Sequence, residues 1–496
     1  MDVLFGSMQR IGLRATWLVA GLLAAALPAL AMWGFTVDDA LIAVRYARNL
    51  ARGLGWRFDA GGPPTDGVTP LPWPGVLLLL GGPTPLAVLH RAQELGFVAW
   101  TSAGAALGYA TGGLTRSPAW VRGGMLLVLG FSVPVAAHAV SGMETALAMT
   151  LATFAALAWR RPLAAAVLSG LAASLRPEMA PWAIVLSAGF AVVGGKRERA
   201  AGYAGLALVP FLACALVRVI VWGRPAPLAL FAKPPDASLG MIYAGAAVVV
   251  ALTPLLALAP RALRQTPAAM VIALAAMAHV LSLVVVGGDW MPYARLMAPI
   301  APSLAWAALL ASENAGPVSN GARVGVVAVL GAALAWHDGL RGRRVGEDRE
   351  MLVHQAAREL GGFQRVASLD VGWVGASTSG DVVDLAGTTD PRVAALPGGH
   401  LGKRVDGTFL LDLGADALLL YVGHGHPEVQ ELPVVDQPSV SPEAAEHWWG
   451  LPFERALERK LAADAIVRHH FAPVAFLPLG RDGAGYALFA RDEPAR

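Results

Sequence analysis

Charged side chains are scarce in this chain: Asp, Glu, Lys and Arg make up 15% of its 496 residues, and 56% of the residues are hydrophobic. Soluble domains carry about 25% charged residues. The composition therefore excludes an ordinary soluble protein and predicts a membrane protein. Cysteine is nearly absent as well. The single residue Cys214 cannot form an intramolecular disulfide or a cysteine-based metal cluster.

The few charges divide the chain into two parts. Residues 1–340 contain 13 of the 35 carboxylates and 22 of the 38 Lys and Arg residues, whereas residues 341–496 contain 22 carboxylates and 16 bases. The basic excess of the first part is typical of loops beside membrane spans. It does not indicate a nucleic-acid partner. The pattern predicts a transmembrane domain over 1–340 and a soluble domain over 341–496.

Long apolar runs fill the first part and predict a polytopic α-helical membrane protein with about eleven transmembrane helices. The run from Leu13 to Trp33 is long enough to span and is read as an uncleaved first helix. Trp73 to Gly82 is too short to cross alone and is read as a broken or surface-lying segment. The remaining runs are near 86–113, 123–140, 143–159, 162–175, 178–195, 201–222, 241–259, 267–286, 294–312 and 322–338.

With eleven spans, the basic residues fall in alternate loops, on the same side as Arg10 and Arg14. The positive-inside rule places that side and the N-terminus in the cytoplasm. The first outer loop, residues 35–70, and the C-terminal part are then extracytoplasmic. In that part, short strand-like runs at 366–369, 382–385, 417–422 and 486–490 alternate with helix-like stretches at 347–360 and 443–465, which predicts a small α/β domain.

The richest polar segment is the start of the first outer loop. Thr36 followed by Asp39 resembles a capping box, and Asp38 and Asp39 fall in the first turn of a helix that we expect to lie along the membrane interface. The two acids are either helix caps or a site. A tandem acid pair suits a reaction in which one carboxylate takes the proton of a hydroxyl nucleophile.

Other polar residues on the same face are candidates for binding a lipid-linked phosphate or the rest of a substrate. A phosphate would be met by Arg or Lys. The turn that contains Asp289 and Trp290 breaks an apolar run, and Glu144 and Glu178 are either site residues or structural partners of Arg176. The full set is Arg45, Lys233, Arg295, Asp289, Trp290, Glu144, Arg176 and Glu178.

Other chemistries have weaker support. The chain has no Gly-x-x-x-x-Gly-Lys-Ser/Thr phosphate loop, which disfavours an ATP-driven pump. The pairs His424/His426 and His469/His470 lack further ligands at metal-binding spacing, so no metal site is predicted. No cofactor is expected, and the sequence leaves a divalent-metal requirement open.

Several motifs resemble the polytopic GT-C glycosyltransferases that use polyprenyl-phosphate sugars, above all the terminal arabinofuranosyltransferases of mycobacterial cell-wall synthesis. The most specific are the diacid Asp38-Asp39 and the turn Gly287-Gly288-Asp289-Trp290. Further matches are Ser141 to Thr145, Arg176-Pro177-Glu178, Phe231-Ala232-Lys233, Gly372-Trp373-Val374-Gly375 and Asp384 to Asp390. The chain departs from the family at Asp66-Gly67-Val68-Thr69-Pro70, where the family often has a Tyr and an Asn.

The resemblance implies an integral glycosyltransferase of the bacterial cytoplasmic membrane. Its donor would be a polyprenyl-phosphate sugar, with arabinofuranose as one expectation, and its acceptor a glycan or lipid of the cell envelope. Asp38 or Asp39 would be the base. Two alternatives stay open: a transporter or flippase of lipid-linked precursors, with charges along a translocation path, and a non-catalytic envelope scaffold.

Overall fold

In the computed structural model, residues 2–233, 236–250, 254–289, 291–423, 442–480 and 483–492 are described. The chain is mostly helical, with a small sheet near the C-terminus. His424, His426 and Trp290, which carry sequence predictions, lie outside the described residues.

The helices up to residue 222 include one long N-terminal helix, one pair with a sharp bend, and several of 12–14 residues. They are α1 (Asp2–Ala31), α2 (Asp38–Ala51), α3 (Trp73–Leu80), α4 (Pro85–Thr111), α5 (Ala119–Gly130), α6 (Val133–Ala139), α7 (Thr145–Leu157), α8 (Pro162–Leu175), α9 (Ala180–Val193) and α10 (Ala200–Trp222).

The next group begins with short helices and ends with a helical run that continues into the C-terminal part. It consists of α11 (Leu228–Ala232), α12 (Ala237–Val250), α13 (Pro254–Ala257), α14 (Pro260–Arg264), α15 (Pro267–Val286), α16 (Ala301–Ser312), α17 (Pro317–Leu334) and α18 (Leu340–Glu359). A π-helical turn, Ala335–Gly339, joins α17 to α18. The predicted domain boundary at 340/341 therefore lies within a helical run. Four short 3-10 turns are also present: Pro177–Met179, Arg197–Arg199, Pro292–Ala294 and Ala298–Ile300.

Four helices in the described residues are long and apolar enough to cross a membrane: Gly12–Ala31, Arg197–Trp222, Pro267–Val286 and Pro317–Glu359. The number rises to six if two bent helix pairs each count as one span. A multi-pass membrane protein fits this result, but the predicted eleven spans are not confirmed. Several predicted spans correspond to apolar helices of only 10–17 residues, shorter than the ~20 residues that a bilayer core requires.

The short apolar segment before α4 folds as expected for a segment that does not cross alone. Helix α3 has eight residues and bends by 106° from α4. Between them, Gly81 and Gly82 both have positive φ, a conformation that glycine adopts without a steric penalty.

Helices α1 and α4 pack closely because glycines face each other across the contact. A Cβ atom on Gly21 would clash with the backbone of Gly104, and one on Gly108 would clash with the carbonyl of Trp17. Small residues four positions apart, as in Gly104 and Gly108, allow such close helix crossings in membranes. This pair anchors the N-terminal helix, and α2 follows directly after it.

The C-terminal part contains a five-stranded mixed sheet in the order β2-β1-β3-β5-β4. Its strands are β1 (Arg365–Ser368), β2 (Asp381–Asp384), β3 (Ala417–Val422), β4 (Phe471–Pro478) and β5 (Gly485–Arg491). Strand β1 pairs in parallel with β2 and β3, whereas β5 is antiparallel to β3 and β4. The sequence patterns locate the other four strands and miss β4.

Short helices surround the sheet: α19 (Val371–Ser377), α20 (Pro391–Ala394), α21 (Gly407–Asp412), α22 (Pro442–Trp449), α23 (Ala456–Ala463) and α24 (Ala465–His470). The helix predicted over 443–465 is thus divided among α22, α23 and the start of α24. Asp464 caps α24 by accepting hydrogen bonds from the backbone N–H groups of Ile466 and Val467. Helix α19 packs against α2, so the C-terminal part lies directly on the first loop.

Candidate functional site

The site is organised by α2, the helix that follows α1. Its N-cap is Val37, and no side chain caps it. The capping box predicted from Thr36 and Asp39 is wrong, because the Thr36 hydroxyl donates instead to the carbonyl of Ser141, 3.1 Å away. Most of α2 is buried, including Asp38 and Arg45. The two acids at its start are consequently free to make tertiary contacts.

Asp38 contacts the C-terminal part. Its Oδ2 accepts a hydrogen bond from the backbone N–H of Gly372, and its Oδ1 accepts one from Trp373, both at 2.9 Å. These N–H groups lie in the first turn of α19, where a helix has no internal acceptor for them. Asp38 therefore caps a helix more than 330 residues away in sequence.

Arg45, two turns further along α2, contacts the other end of α19. Its guanidinium donates to the carbonyls of Gly375 (2.8 Å) and Gly380 (2.7 Å) and to the carboxylate of Asp59 (2.9 Å). These contacts hold Arg45 against the C-terminal part. Arg45 does not line the cavity that is described below. The geometry does not favour the predicted role of Arg45 in binding a phosphate.

Two glycines allow α19 to approach α2 this closely. A Cβ atom on Gly372 would clash with the backbone carbonyl of Asp38, and one on Gly375 would lie 2.8 Å from the Arg45 side chain. The Gly-Trp-Val-Gly segment is thus a packing motif. We call the contact of Asp38 and Arg45 with the two ends of α19 the α2–α19 clamp.

Asp39 faces a different set of residues. Its Oδ2 accepts a hydrogen bond from Nη1 of Arg295 at 2.8 Å, and Nε of Arg295 donates to Asp289 at 2.7 Å. Arg295 follows a sharp turn in which Tyr293 and Ala294 both have positive φ, which is uncommon for residues other than glycine. The turn brings two of the predicted site residues, Asp289 and Arg295, to the start of α2.

Asp39 and Arg295 line a cavity, here called the Asp39 cavity, together with three other predicted residues: Glu144, Arg176 and Lys233. Its other walls are Ala40, Ile42, Ala43, Gly67, Val68, Thr69, Pro70, Trp73, Met143, Ala229 and Thr388. The cavity has a volume of about 80 Å³. Ligand pockets usually measure ~300–1,000 Å³. A cavity of this size would admit only a small group or one end of a larger ligand.

Arg176 holds two carboxylates at one side of the cavity. Its Nη2 lies 2.8 Å from Oε1 of Glu144, and its Nη1 lies 3.7 Å from Oε1 of Glu178. Glu144 and Arg176 line the cavity, whereas Glu178 does not. Of the two acids, Glu144 is the one placed to contact a ligand.

Lys233 differs from the two arginines of the cavity. Each arginine is ion-paired with two carboxylates. The ammonium of Lys233 forms no hydrogen bond or ion pair with any residue that the structure describes. A cation that lines a cavity and forms no ion pair favours the binding of an anionic group such as a phosphate.

The pKa values of the two neighbouring acids, Asp38 and Asp39, are shifted in opposite directions. Burial disfavours the ionised form of Asp39, but Arg295 and Lys233 outweigh burial and lower the pKa of its carboxyl. For Asp38, burial and repulsion by Asp370 raise the pKa to about 7, against the opposing effects of Arg349 and the two backbone N–H groups. At neutral pH, Asp39 is the ionised acid that faces the cavity.

Sequence reasoning does not find two of the cavity residues. The sequence marks Trp73 only as the start of a short apolar segment, and Thr388 belongs to the Asp384 to Asp390 motif, which carries only a family likeness. Thr388 comes from the turn after β2, where its hydroxyl donates to Asp384 at 2.6 Å. No periodicity in the sequence links these residues to α2.

Within the described ranges, no group of three or more His, Cys, Asp or Glu side chains could hold a metal ion. His469 and His470 lie edge to face at the end of α24, with ring centroids 4.8 Å apart. The charged groups that line the cavity with Asp39 include three cations, Arg176, Lys233 and Arg295.

Comparison of the chain with known protein families, with characterised proteins and with solved structures finds no match.

Proposed function

We propose that the protein is an integral-membrane glycosyltransferase that transfers a sugar from a polyprenyl phosphate to a hydroxyl group of a cell-envelope glycan or lipid. The observation that carries the proposal is the Asp39 cavity, where an ionised carboxylate and an unpaired ammonium, Lys233, line the same small space. The first could activate a hydroxyl, and the second could bind a phosphate leaving group. The family likeness around Asp38-Asp39 suggests the same reaction.

In the proposed reaction, the acceptor oxygen attacks the anomeric carbon and its proton passes to the Asp39 carboxylate. The bond between the anomeric carbon and the phosphate oxygen breaks, and the polyprenyl phosphate leaves with the electron pair. A single displacement of this kind inverts the anomeric centre. Asp39 needs no activation beyond its ionised state, which Arg295 and Lys233 maintain.

The proposal assigns different roles to the cations of the cavity. Lys233 would meet the donor phosphate directly, because it forms no ion pair with a carboxylate of the described residues. Arg295 is held between Asp39 and Asp289. Its main role would be to orient the base, with a contact to the phosphate once a donor binds. Asp38 would have no direct role in the reaction, since both its oxygens bond to α19.

We place the reaction on the extracytoplasmic face of the bacterial cytoplasmic membrane, with the N-terminus in the cytoplasm. The distribution of basic loops supports this orientation. The transporter alternative gains no specific support. Arg218, one of the few charges within an apolar run, forms a 2.6 Å ion pair with Asp66 and donates to the carbonyls of Val68 and Thr69. It therefore secures the first loop, and its charge is already neutralised.

The test compares Asp39→Asn with Asp38→Asn in membranes supplied with a radiolabelled polyprenyl-phosphate pentose and a glycan acceptor. We expect Asp39→Asn to lower transfer by about 10²–10⁴-fold, the usual contribution of a general base. Asp38→Asn should retain transfer in proportion to the folded protein that remains. Asp412→Asn, which removes an exposed carboxylate of the C-terminal part, is the control for the charge change. Normal transfer by Asp39→Asn would refute the assignment of the base.

A further inference from the structure

A buried carboxylate in the Asp39 cavity lacks hydrogen-bond donors. Glu144 is fully buried, and neither of its oxygens accepts a hydrogen bond from any residue in the described part of the chain. Arg176 compensates its charge from 2.8 Å, but the hydrogen bond from Nη2 goes to the hydroxyl of Thr145. The charge of Glu144 is thus balanced by Arg176, and acceptor positions on its two oxygens remain for a ligand.

A buried donor lies in the same cavity. Trp73 is 1% exposed, and its indole N–H has no acceptor among the described residues. Other buried tryptophans, such as Trp182 and Trp306, also lack an acceptor. The indole alone would therefore mean little. Trp73 differs from those two because it lines the cavity that Glu144 lines.

These two groups together specify the chemistry of a ligand. Buried polar groups in proteins are generally hydrogen-bonded, because an unbonded one destabilises the folded state. A hydroxyl group can donate to a carboxylate and accept from an indole N–H, so it satisfies both. The phosphodiester of a lipid-phosphate sugar cannot: its oxygens carry no proton to donate, and the Glu144 carboxylate repels them. The cavity hence offers hydroxyl-binding groups in addition to its cations.

We infer that Glu144 and Trp73 bind hydroxyl groups of the sugar ring of the donor and determine specificity for that ring. The inference rests on the proposed function and deepens it, because it assigns the phosphate to Lys233 and the ring to a second pair of residues. A lipid phosphate that carries a hydroxyl-bearing ring binds more tightly than the same lipid phosphate without one.

The experiment measures binding, so it does not depend on finding the acceptor. The purified full-length protein in lipid nanodiscs is titrated with methyl farnesyl phosphate, a phosphodiester that has no ring, and with the farnesyl phosphodiesters of arabinofuranose and mannose, which carry the same charge. The wild-type protein should bind at least one of the sugar conjugates more tightly than methyl farnesyl phosphate. The tighter of the two is then used with the variants.

Glu144→Gln should weaken binding of the sugar conjugate by about tenfold, since it removes a charge-assisted hydrogen bond. Trp73→Phe removes only the N–H and keeps an aromatic ring, and should weaken binding by about threefold or more. Trp73→Phe should bind methyl farnesyl phosphate within about twofold of the wild type, because that probe has no hydroxyl to recognise. Glu144→Gln should bind it at least as tightly as the wild type, because the substitution removes a carboxylate that repels the phosphate.

Two matched controls separate recognition from general disturbance. Trp306→Phe removes a buried, unbonded N–H outside the cavity and should leave both affinities unchanged. Glu178→Gln removes a charge next to Arg176 at a residue that does not itself line the cavity, so any effect should be equal for both probes. Equal losses for both probes in Glu144→Gln and Trp73→Phe, or no preference of the wild type for a sugar conjugate, would overturn the inference. Failure of the wild type to bind any of these lipid phosphates would overturn the proposed function itself.

Discussion

Two neighbouring carboxylates on α2 differ in role because successive helix positions point in different directions. Asp38 accepts two N–H groups of α19, and Asp39 accepts one from Arg295. The sequence predicts that one member of the pair is a base but cannot choose between them, because the deciding contacts come from residues more than 250 positions away. The structure favours Asp39.

A substitution of Arg295 tests whether its charge keeps Asp39 ionised. Burial raises the pKa of Asp39, and Arg295 is the largest influence that lowers it. Arg295→Gln should therefore raise that pKa, so that Asp39 takes up its proton at a higher pH. We expect the acidic limb of the pH–rate profile for transfer to move to higher pH, because protonated Asp39 cannot act as a base.

The measurement is initial-rate transfer between pH 4 and 8 at saturating donor. Arg358→Gln, which removes an exposed positive charge on α18, is the control and should leave the acidic limb in place. If Arg295→Gln lowers the rate by the same factor at every pH, Arg295 does not set the protonation of the base.

At the scale of elements, the sequence predicts α2 correctly as a helix in the first loop but does not predict its cover. Arg45 faces α19, and most of the helix is buried inside the protein. A helical stripe reveals which residues share a face, but it does not reveal what covers that face. The cover comes from α19, which no local pattern connects to α2.

The α2–α19 clamp depends on Gly372. In Gly372→Ala, the new Cβ would clash with the carbonyl of Asp38, so α19 would have to move away. Overpacking of a tight contact destabilises a protein by about 1–3 kcal/mol. We expect a lower Tm and faster proteolytic cleavage between α18 and β1. Gly362→Ala is the matched control, because a Cβ atom added there would have no neighbour within 4 Å. Equal behaviour of the two variants would show that the close approach contributes nothing to stability.

For the whole molecule, composition alone is enough to predict a membrane protein, and helices long enough to span are present. The count of spans cannot be predicted in the same way. Hydropathy does not reveal where a run breaks, and breaks occur at polar interruptions such as Arg176-Pro177, where α8 ends and a 3-10 turn begins. The sheet is predictable from alternating apolar runs, except β4, whose prolines Pro473 and Pro478 obscure the strand pattern.

The predicted orientation can be tested with a reporter fused to the C-terminus. An enzyme that is active only outside the cytoplasm, such as alkaline phosphatase, should be active there, because the positions of the basic loops among eleven spans predict that the C-terminal part lies on the outer side. A reporter that is active only in the cytoplasm should be inactive in the same position. The opposite pair of results would contradict the orientation and would place the Asp39 cavity on the cytoplasmic face.

The helical run from α17 into α18 has a consequence for the strength of the clamp. The C-terminal part is joined covalently to the apolar helices of the first part of the chain. Asp38 and Arg45 therefore meet α19 within one molecule, at an effective concentration that short tethers raise to about the millimolar range. Contacts of modest intrinsic affinity are then sufficient to keep the C-terminal part bound to α2. An opened clamp would close again without diffusion through solution, so docking is governed by the local geometry of α2 and α19 and is independent of protein concentration.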